Sequence, residues 1–134
     1  EQEFAVVKTH TFYTYRALDR IPSFDQIKVW ASFHHERLDG KGYPFHHTDK
    51  NLPLGSKIMA VADIFTALNE ERPYRNGMNR HEAMKIIQQA VDNNALDGTV
   101  VNLLKNNLDE AEHIRIESQK KAVEECQEFY LASG

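Results

Sequence analysis

The sequence predicts an all-α protein. Apolar residues recur at helical spacing in several segments, no stretch shows the alternation of a β-strand, and proline or glycine separates the segments. A length of 134 residues, with 41% hydrophobic and 27% charged residues, suits a single domain with a modest core. There is no internal repeat.

The first half of the chain predicts two helical regions and a long loop. Residues 4–18 have helical spacing that is interrupted near residues 9–11, which allows two short helices or one broken helix. A turn at residues 21–23 precedes a helix expected to end near residues 39–40. Glycine and proline in residues 39–55 predict the loop. The apolar positions are Phe4, Val7, Phe12, Tyr15 and Leu18 in the first region and Ile27, Trp30, Ala31 and His34 in the second.

The second half of the chain predicts further helices. The clearest covers residues 57–69, and two others follow at residues 80–90 and 98–104. Residues 108–130 are polar with sparse apolar positions, which fits either a protruding helix or a frayed tail. The predicted inward side chains are Ile58, Ala62, Phe65 and Leu68 in the first of these helices and Ala83, Ile86 and Ile87 in the second.

Charge and cysteine content restrict the partners. A net charge of -4 argues against binding to duplex nucleic acid, although a small basic pocket could still hold one phosphate. The single Cys126 indicates a reducing compartment, so we expect a cytoplasmic location. The sequence contains neither a run of about 18 apolar residues nor a leader, so we expect no membrane contact by this segment. Because the chain does not begin with Met, we expect it to be a piece of a larger protein.

Histidines and acids form the candidate site. Adjacent side chains on a helix diverge by about 100°, so His34 and His35 can reach one metal only at a helix end or bend, which the glycines downstream supply. Asp63 lies in an apolar stretch, where a carboxylate needs a cation or strong donors. The pattern alone does not separate metal ligation from a helix cap or an arginine pair. For His10, the pattern by itself favours an ordinary structural histidine.

One segment resembles a known family. Residues 34–44, His-His-Glu-Arg-Leu-Asp-Gly-Lys-Gly-Tyr-Pro, match every fixed position of the HHExxDGxGYP signature of HD-GYP metal-dependent phosphohydrolases. Residues 61–68 and 72–75 are similar to the second block of that family. The resemblance covers residues 1–105, which implies the C-terminal part of an HD-GYP domain, and residues 106–134 then form a polar helical extension. The implied fold is part of an HD-type helical bundle with a long C-terminal helix.

The resemblance also implies a function. Proteins of this family are phosphodiesterases that hydrolyse cyclic di-GMP or a related cyclic dinucleotide with two or three bound metals, commonly iron or manganese; the donor types here also allow zinc. Without the resemblance, the two arginines of residues 72–75 would be ordinary helix-end cations. The residues that match the family's metal ligands are His10, His34, His35 and Asp63, and those that match its substrate pocket are Gly42, Tyr43, Pro44, Arg72 and Arg75.

The chain departs from the family in one important respect. The His-Asp pair that names the family precedes the position of His10, and no His-Asp dipeptide occurs here. We therefore expect at most half a site, which is inactive or nearly so alone. A removed N-terminal half, a degenerate domain and a swapped assembly would each explain this, and the intact signature favours the first. Smaller departures are Thr11, Thr14 and the pair His46 and His47.

Two other functions stay open at this stage. The chain could be a catalytically incomplete nucleotide-binding or dimerisation module in signalling, which forms a homodimer through its C-terminal helix. A mononuclear nucleotide phosphohydrolase of the wider HD superfamily is the weaker alternative, because such proteins generally lack the GYP signature.

Overall fold

The computed structural model describes residues 2–70 and 77–132, with side chains described for residues 6–70 and 77–129. Within those ranges the chain forms six α-helices, one short 3₁₀ helix and no strand, so the all-α prediction is confirmed. The helices are α1 (Gln2–Leu18), α2 (Asp25–Ser32), α3 (Leu54–Asn69), α4 (Arg80–Asp92), α5 (Gly98–Asn106) and α6 (Leu108–Ala132), and the 3₁₀ helix is Asp49–Asn51.

The chain divides into two compact units, Glu1–Val101 and Asn102–Gly134. In the first unit α2 packs against both α1 and α3, and α3 packs against α4. The predicted boundary between the HD-GYP part and the extension, at residues 105 and 106, stays a prediction.

Helix α1 is continuous, so the predicted interruption near residues 9–11 is wrong. The Thr9 hydroxyl donates to the carbonyl of Val6 at 2.6 Å, and the Thr11 hydroxyl donates to the carbonyl of Lys8 at 3.2 Å. Bonds to a carbonyl of the preceding turn satisfy the polar side chains without breaking the helix. His10 therefore projects from a regular helix.

Helix α2 ends at Ser32, well before the predicted end at residues 39–40. The segment after it is bonded to a distant part of the chain, since the Leu38 amide donates to the carbonyl of Ala95 at 3.2 Å. The two adjacent histidines consequently lie in an irregular bend and not on a helix. The predicted turn at residues 21–23 and the predicted loop after residue 39 are both present.

Helix α3 begins at Leu54, with Pro53 as its extended N-cap residue, a few residues before the predicted start. The predicted inward stripe is only partly right. Because apolar residues occur all round this helix, their period does not select one face. The buried side chains of α3 are Ser56, Ala60, Val61, Phe65 and Asn69, whereas Ile58 and Ala62 are exposed.

Helix α4 completes the core of the first unit. Ala83 and Ile87 are fully buried, as predicted, whereas Ile86 is 38% exposed, so its predicted inward placement is wrong. The Asn79 side chain caps the helix by accepting hydrogen bonds from the amides of His81 and Glu82. Leu96, Val100 and Val101 are buried as well.

Neighbouring isoleucines of α4 provide a test of this packing. We expect Ile87→Ala to lower the free energy of unfolding by about 2 to 5 kcal/mol, because it leaves a cavity in the core. Ile86→Ala removes the same atoms from an exposed position and should cost much less. Urea denaturation of both variants measures the difference, and equal losses would contradict the described face of α4.

Helix α6 runs without a break through the polar C-terminal segment, so the helix, and not the frayed tail, is the correct alternative. Cys126 is exposed and unpaired. None of the helices in the described ranges combines the length and apolar character that a membrane crossing requires. The exposed large apolar side chains of α6 are Ile114, Ile116, Val123 and Phe129.

Candidate metal centre

Three histidines from two elements converge at one point. His10 comes from α1, and His34 and His35 come from the bend after α2. One ring nitrogen from each of the three lies within 4.8 Å of the others. The ring centroids are 4.2 Å apart for His34 and His35 and 5.2 Å apart for His10 and His35. The packing of α1 against α2 therefore assembles a cluster from residues that are distant along the chain.

Asp63 of α3 lies beside this cluster. Its Oδ2 is 3.8 Å from Nδ1 of His35. That separation is too long for a hydrogen bond, but it suits two ligands that share one ion. The Asp63 side chain is 42% exposed, so the sequence-based assumption that it is buried among apolar residues is wrong.

Hydrogen bonds fix the ring orientation of two of the histidines. Nδ1 of His10 is 2.6 Å from the carbonyl oxygen of Val7, and Nδ1 of His34 is 2.8 Å from that of Ala31. A carbonyl oxygen can only accept, so Nδ1 carries the hydrogen in both rings. The lone pair then resides on Nε2. A histidine that binds a metal through Nε2 and donates from Nδ1 to the backbone has this tautomer.

His35 is neutral at physiological pH. Burial lowers its pKa to about 4, with a further contribution from His34, while Asp63 opposes the shift. A neutral imidazole keeps a lone pair that can bind a cation.

The donor set fits a divalent metal ion. Ligands at about 2.0 to 2.2 Å from one ion are separated by no more than about 4.4 Å, so the three ring nitrogens would move closer together around an ion. Imidazole nitrogens and a carboxylate oxygen suit iron, manganese or zinc.

Glu36 anchors the loop that borders the cluster, and sequence reasoning assigned it no role. It is 3% exposed, and its two carboxylate oxygens accept hydrogen bonds from the amides of Phe45 at 2.6 Å and His47 at 3.0 Å. The available signal was its fixed place in the signature, directly after the two histidines.

The remaining fixed positions of the signature shape the same loop. Gly40 has φ +75, a conformation that favours glycine, and a Cβ at Gly42 would overlap the backbone of Glu36 and Arg37. The Arg37 guanidinium donates two hydrogen bonds to Asp39, at 3.0 and 2.7 Å. These bonds lower the pKa of Asp39 to about 2.

The Tyr43 side chain lies next to the candidate metal centre. Its ring centroid is 4.9 Å from that of His35, and its amide donates to the carbonyl of His35 at 3.2 Å. Burial and the charge of Asp63 raise the pKa of its phenol. Lys8 of α1 places its Nζ 5.3 Å from the centroid of the same ring. Pro44 follows Tyr43 through a cis peptide bond.

The structure describes the position of Gly42 but not of Arg72 and Arg75, the other residues predicted to line the substrate pocket. Gly42 is buried in the loop and contributes space instead of a side chain. Arg72 and Arg75 lie outside the described residues, so their contact with substrate stays a prediction.

An all-α fold that gathers three imidazoles and a carboxylate beside this loop defines a candidate metal centre of the HD type. The sequence profile described as HD domain matches residues 1–100. The chain belongs to the HD domain family, whose members bind divalent metals.

Similar proteins share this region. The chain is 36% identical over 107 residues to the 3'3'-cGAMP-specific phosphodiesterase 1 of Vibrio cholerae, an alignment that covers 80% of this chain and 25% of that protein. It is 38% identical over 89 residues to a cyclic di-GMP phosphodiesterase of Thermotoga maritima, with 65% and 24% covered. It is 37% identical over 86 residues to the cyclic di-GMP phosphodiesterase response regulator RpfG of Xanthomonas campestris pv. campestris, with 63% and 23% covered.

The chain thus spans about a quarter of the length of these curated relatives. Together with the family match, they confirm the resemblance to HD-GYP phosphohydrolases that the signature predicted.

Proposed function

We propose that the chain is part of a metal-dependent phosphodiesterase that hydrolyses a cyclic dinucleotide such as cyclic di-GMP. The observation that carries this proposal is the convergence of His10, His34 and His35 within 4.8 Å, with Asp63 at 3.8 Å from His35. The relatives include a 3'3'-cGAMP-specific phosphodiesterase and a cyclic di-GMP phosphodiesterase, which supports the substrate class.

The three converging histidines, with Asp63 beside His35, would hold a divalent ion, iron or manganese in the first instance, with zinc as the alternative. When bound, such an ion supplies Lewis acidity and a hydroxide at neutral pH for in-line attack on phosphorus. The protein contributes ligand orientation. The backbone carbonyls of Val7 and Ala31 hold the rings of His10 and His34 with Nε2 free.

The loop around Tyr43 would form one wall of the substrate pocket. Gly42, Tyr43 and Pro44 follow the histidines in the signature, and the Tyr43 ring packs against that of His35. An aromatic ring at this place can stack on a base. Arg72 and Arg75 would complete the pocket as phosphate clamps, since a guanidinium donates two parallel hydrogen bonds.

Two further proposals concern the surroundings of the chain. The exposed apolar side chains of α6, such as Val123 and Phe129, support a homodimer formed through the C-terminal helix. A cytoplasmic location in a bacterium, within a larger signalling protein, fits the substrate class.

A hydrolysis assay tests the proposed function. The enzyme that contains this chain, incubated with cyclic di-GMP or 3'3'-cGAMP, should open the ring to a linear dinucleotide. A chelator should stop the reaction, and manganese or iron should restore it, because the reaction depends on the metal. Binding of the cyclic dinucleotide without any hydrolysis, in protein shown to contain metal, would contradict the proposal and favour a binding module.

A further inference from the structure

We propose that Lys8 is a phosphate-binding residue, whose ammonium group holds a non-bridging oxygen of the scissile phosphodiester beside the candidate metal centre. This inference rests on the proposed function. It adds a cation that lies outside the HHExxDGxGYP signature and outside the set of candidate metal ligands.

The position of Lys8 carries the inference. Lys8 lies on α1 two residues before His10, and its side chain is exposed to solvent. Its Nζ is 5.3 Å from the Tyr43 ring centroid, and that ring is 4.9 Å from the ring of His35. The ring of Tyr43 therefore contacts the ammonium group of Lys8 as well as one histidine of the cluster.

Tyr43 is itself held firmly. Its amide donates to the carbonyl of His35 at 3.2 Å, and the loop that follows is anchored by Glu36 through the amides of Phe45 and His47. A cation over the face of a fixed aromatic ring is attracted by the ring quadrupole. The contact with Tyr43 thus holds the ammonium group of Lys8 beside a ring that packs against His35.

The chemistry of an ammonium group then defines its role. It has three donors and no acceptor, so it cannot bind a metal ion, but it binds phosphate oxygens well. A phosphodiester gains negative charge on its oxygens during in-line attack, and a cation beside the metal stabilises that charge.

Two other lysines of the first unit have structural roles. Lys28 contacts Asp19 and Asp25, and Lys57 contacts Asp49 and Asp97. The Lys28 ammonium also lies over the ring of Tyr15.

The test compares lysine variants of the intact enzyme. Lys8→Met should lower kcat/KM for the cyclic dinucleotide by about 10- to 100-fold, the usual range for one charge-assisted hydrogen bond, whereas Lys8→Arg should keep most of the activity. The matched control is Lys85→Met, which removes the same charge from an exposed position of α4 and should leave kcat/KM unchanged. Metal content, measured on each protein, should be equal in all of them.

A double-mutant cycle tests the role of the ring. If Tyr43 positions Lys8, the effect of Lys8→Met should be much smaller in a Tyr43→Leu background than in the parent enzyme. Additive effects would overturn this positioning. Suppose that the parent enzyme has normal metal content and activity. If Lys8→Met then has the same kcat/KM as Lys85→Met, the phosphate-binding role of Lys8 is overturned and the proposed function is not. A parent enzyme with neither metal nor hydrolysis would overturn both this inference and the proposed function.

Discussion

In the intact enzyme that contains this chain, the His34→Ala variant is expected to bind divalent ions at least about 100-fold more weakly than the parent enzyme and to lose cyclic dinucleotide hydrolysis. Removal of a group that merely orients a ligand typically costs 10- to 100-fold in metal affinity, so loss of the ligand itself should cost more. The His34 ring converges with two other histidines and has Nδ1 held by the carbonyl of Ala31. Titration with Mn²⁺, followed by electron paramagnetic resonance of the free ion, measures the affinity.

The matched control for this variant is His81→Ala. His81 is exposed in the first turn of α4 and contributes only its amide to the described hydrogen bonds, which the substitution preserves. A thermal melt of each protein separates loss of affinity from loss of fold. Equal Mn²⁺ affinities for the His34 and His81 variants would count against a metal site at the cluster.

Glu36→Ala is expected to lower the free energy of unfolding by about 2 to 6 kcal/mol, because two part-buried amides lose their acceptor and each unsatisfied group costs about 1 to 3 kcal/mol. Such a loss is a large fraction of the stability of a small domain. The amides belong to Phe45 and His47, so the loop that carries Tyr43 should also loosen. Urea denaturation measures the stability.

Two variants refine the Glu36 prediction. Glu36→Gln retains one acceptor oxygen and should lie between the parent and the alanine variant. Glu82→Ala removes an exposed acid from the first turn of α4 and should cost less than about 1 kcal/mol. If Glu36→Ala lost no more free energy of unfolding than Glu82→Ala, the Glu36 carboxylate would not anchor the loop.

The sequence predicted the class and most helices because those features follow from local periodicity. The assignment of metal ligands came from the family resemblance and stays a prediction, although three of those residues do lie together. The continuity of α1 at residues 9–11 was not predictable from its apolar spacing. The hydroxyls of Thr9 and Thr11 donate to carbonyls within the helix, so these polar residues fit a regular helix.

The end of α2 and the buried face of α3 depend on tertiary contacts. The Leu38 amide finds its partner at Ala95, far along the chain, and no local pattern encodes that hydrogen bond. In α3, apolar residues surround the helix, so neighbours and not periodicity decide that Val61 is buried while Ile58 is exposed.

The role of Glu36 was hidden for a related reason. A carboxylate beside two histidines suggests a role in a metal site. The described partners of Glu36 are instead backbone amides of its own loop. Fixed positions of a signature can therefore preserve loop geometry as well as chemistry. Gly42, which leaves no room for a Cβ, is a second example.

Anomalous diffraction from crystals of the manganese- or iron-loaded protein tests the central claim most directly. The account predicts a metal peak about 2.0 to 2.4 Å from ring nitrogens of His10, His34 and His35 and from a carboxylate oxygen of Asp63. A peak elsewhere, for example at His46 and His47, or no peak at a well-ordered cluster in metal-saturated crystals, would contradict it.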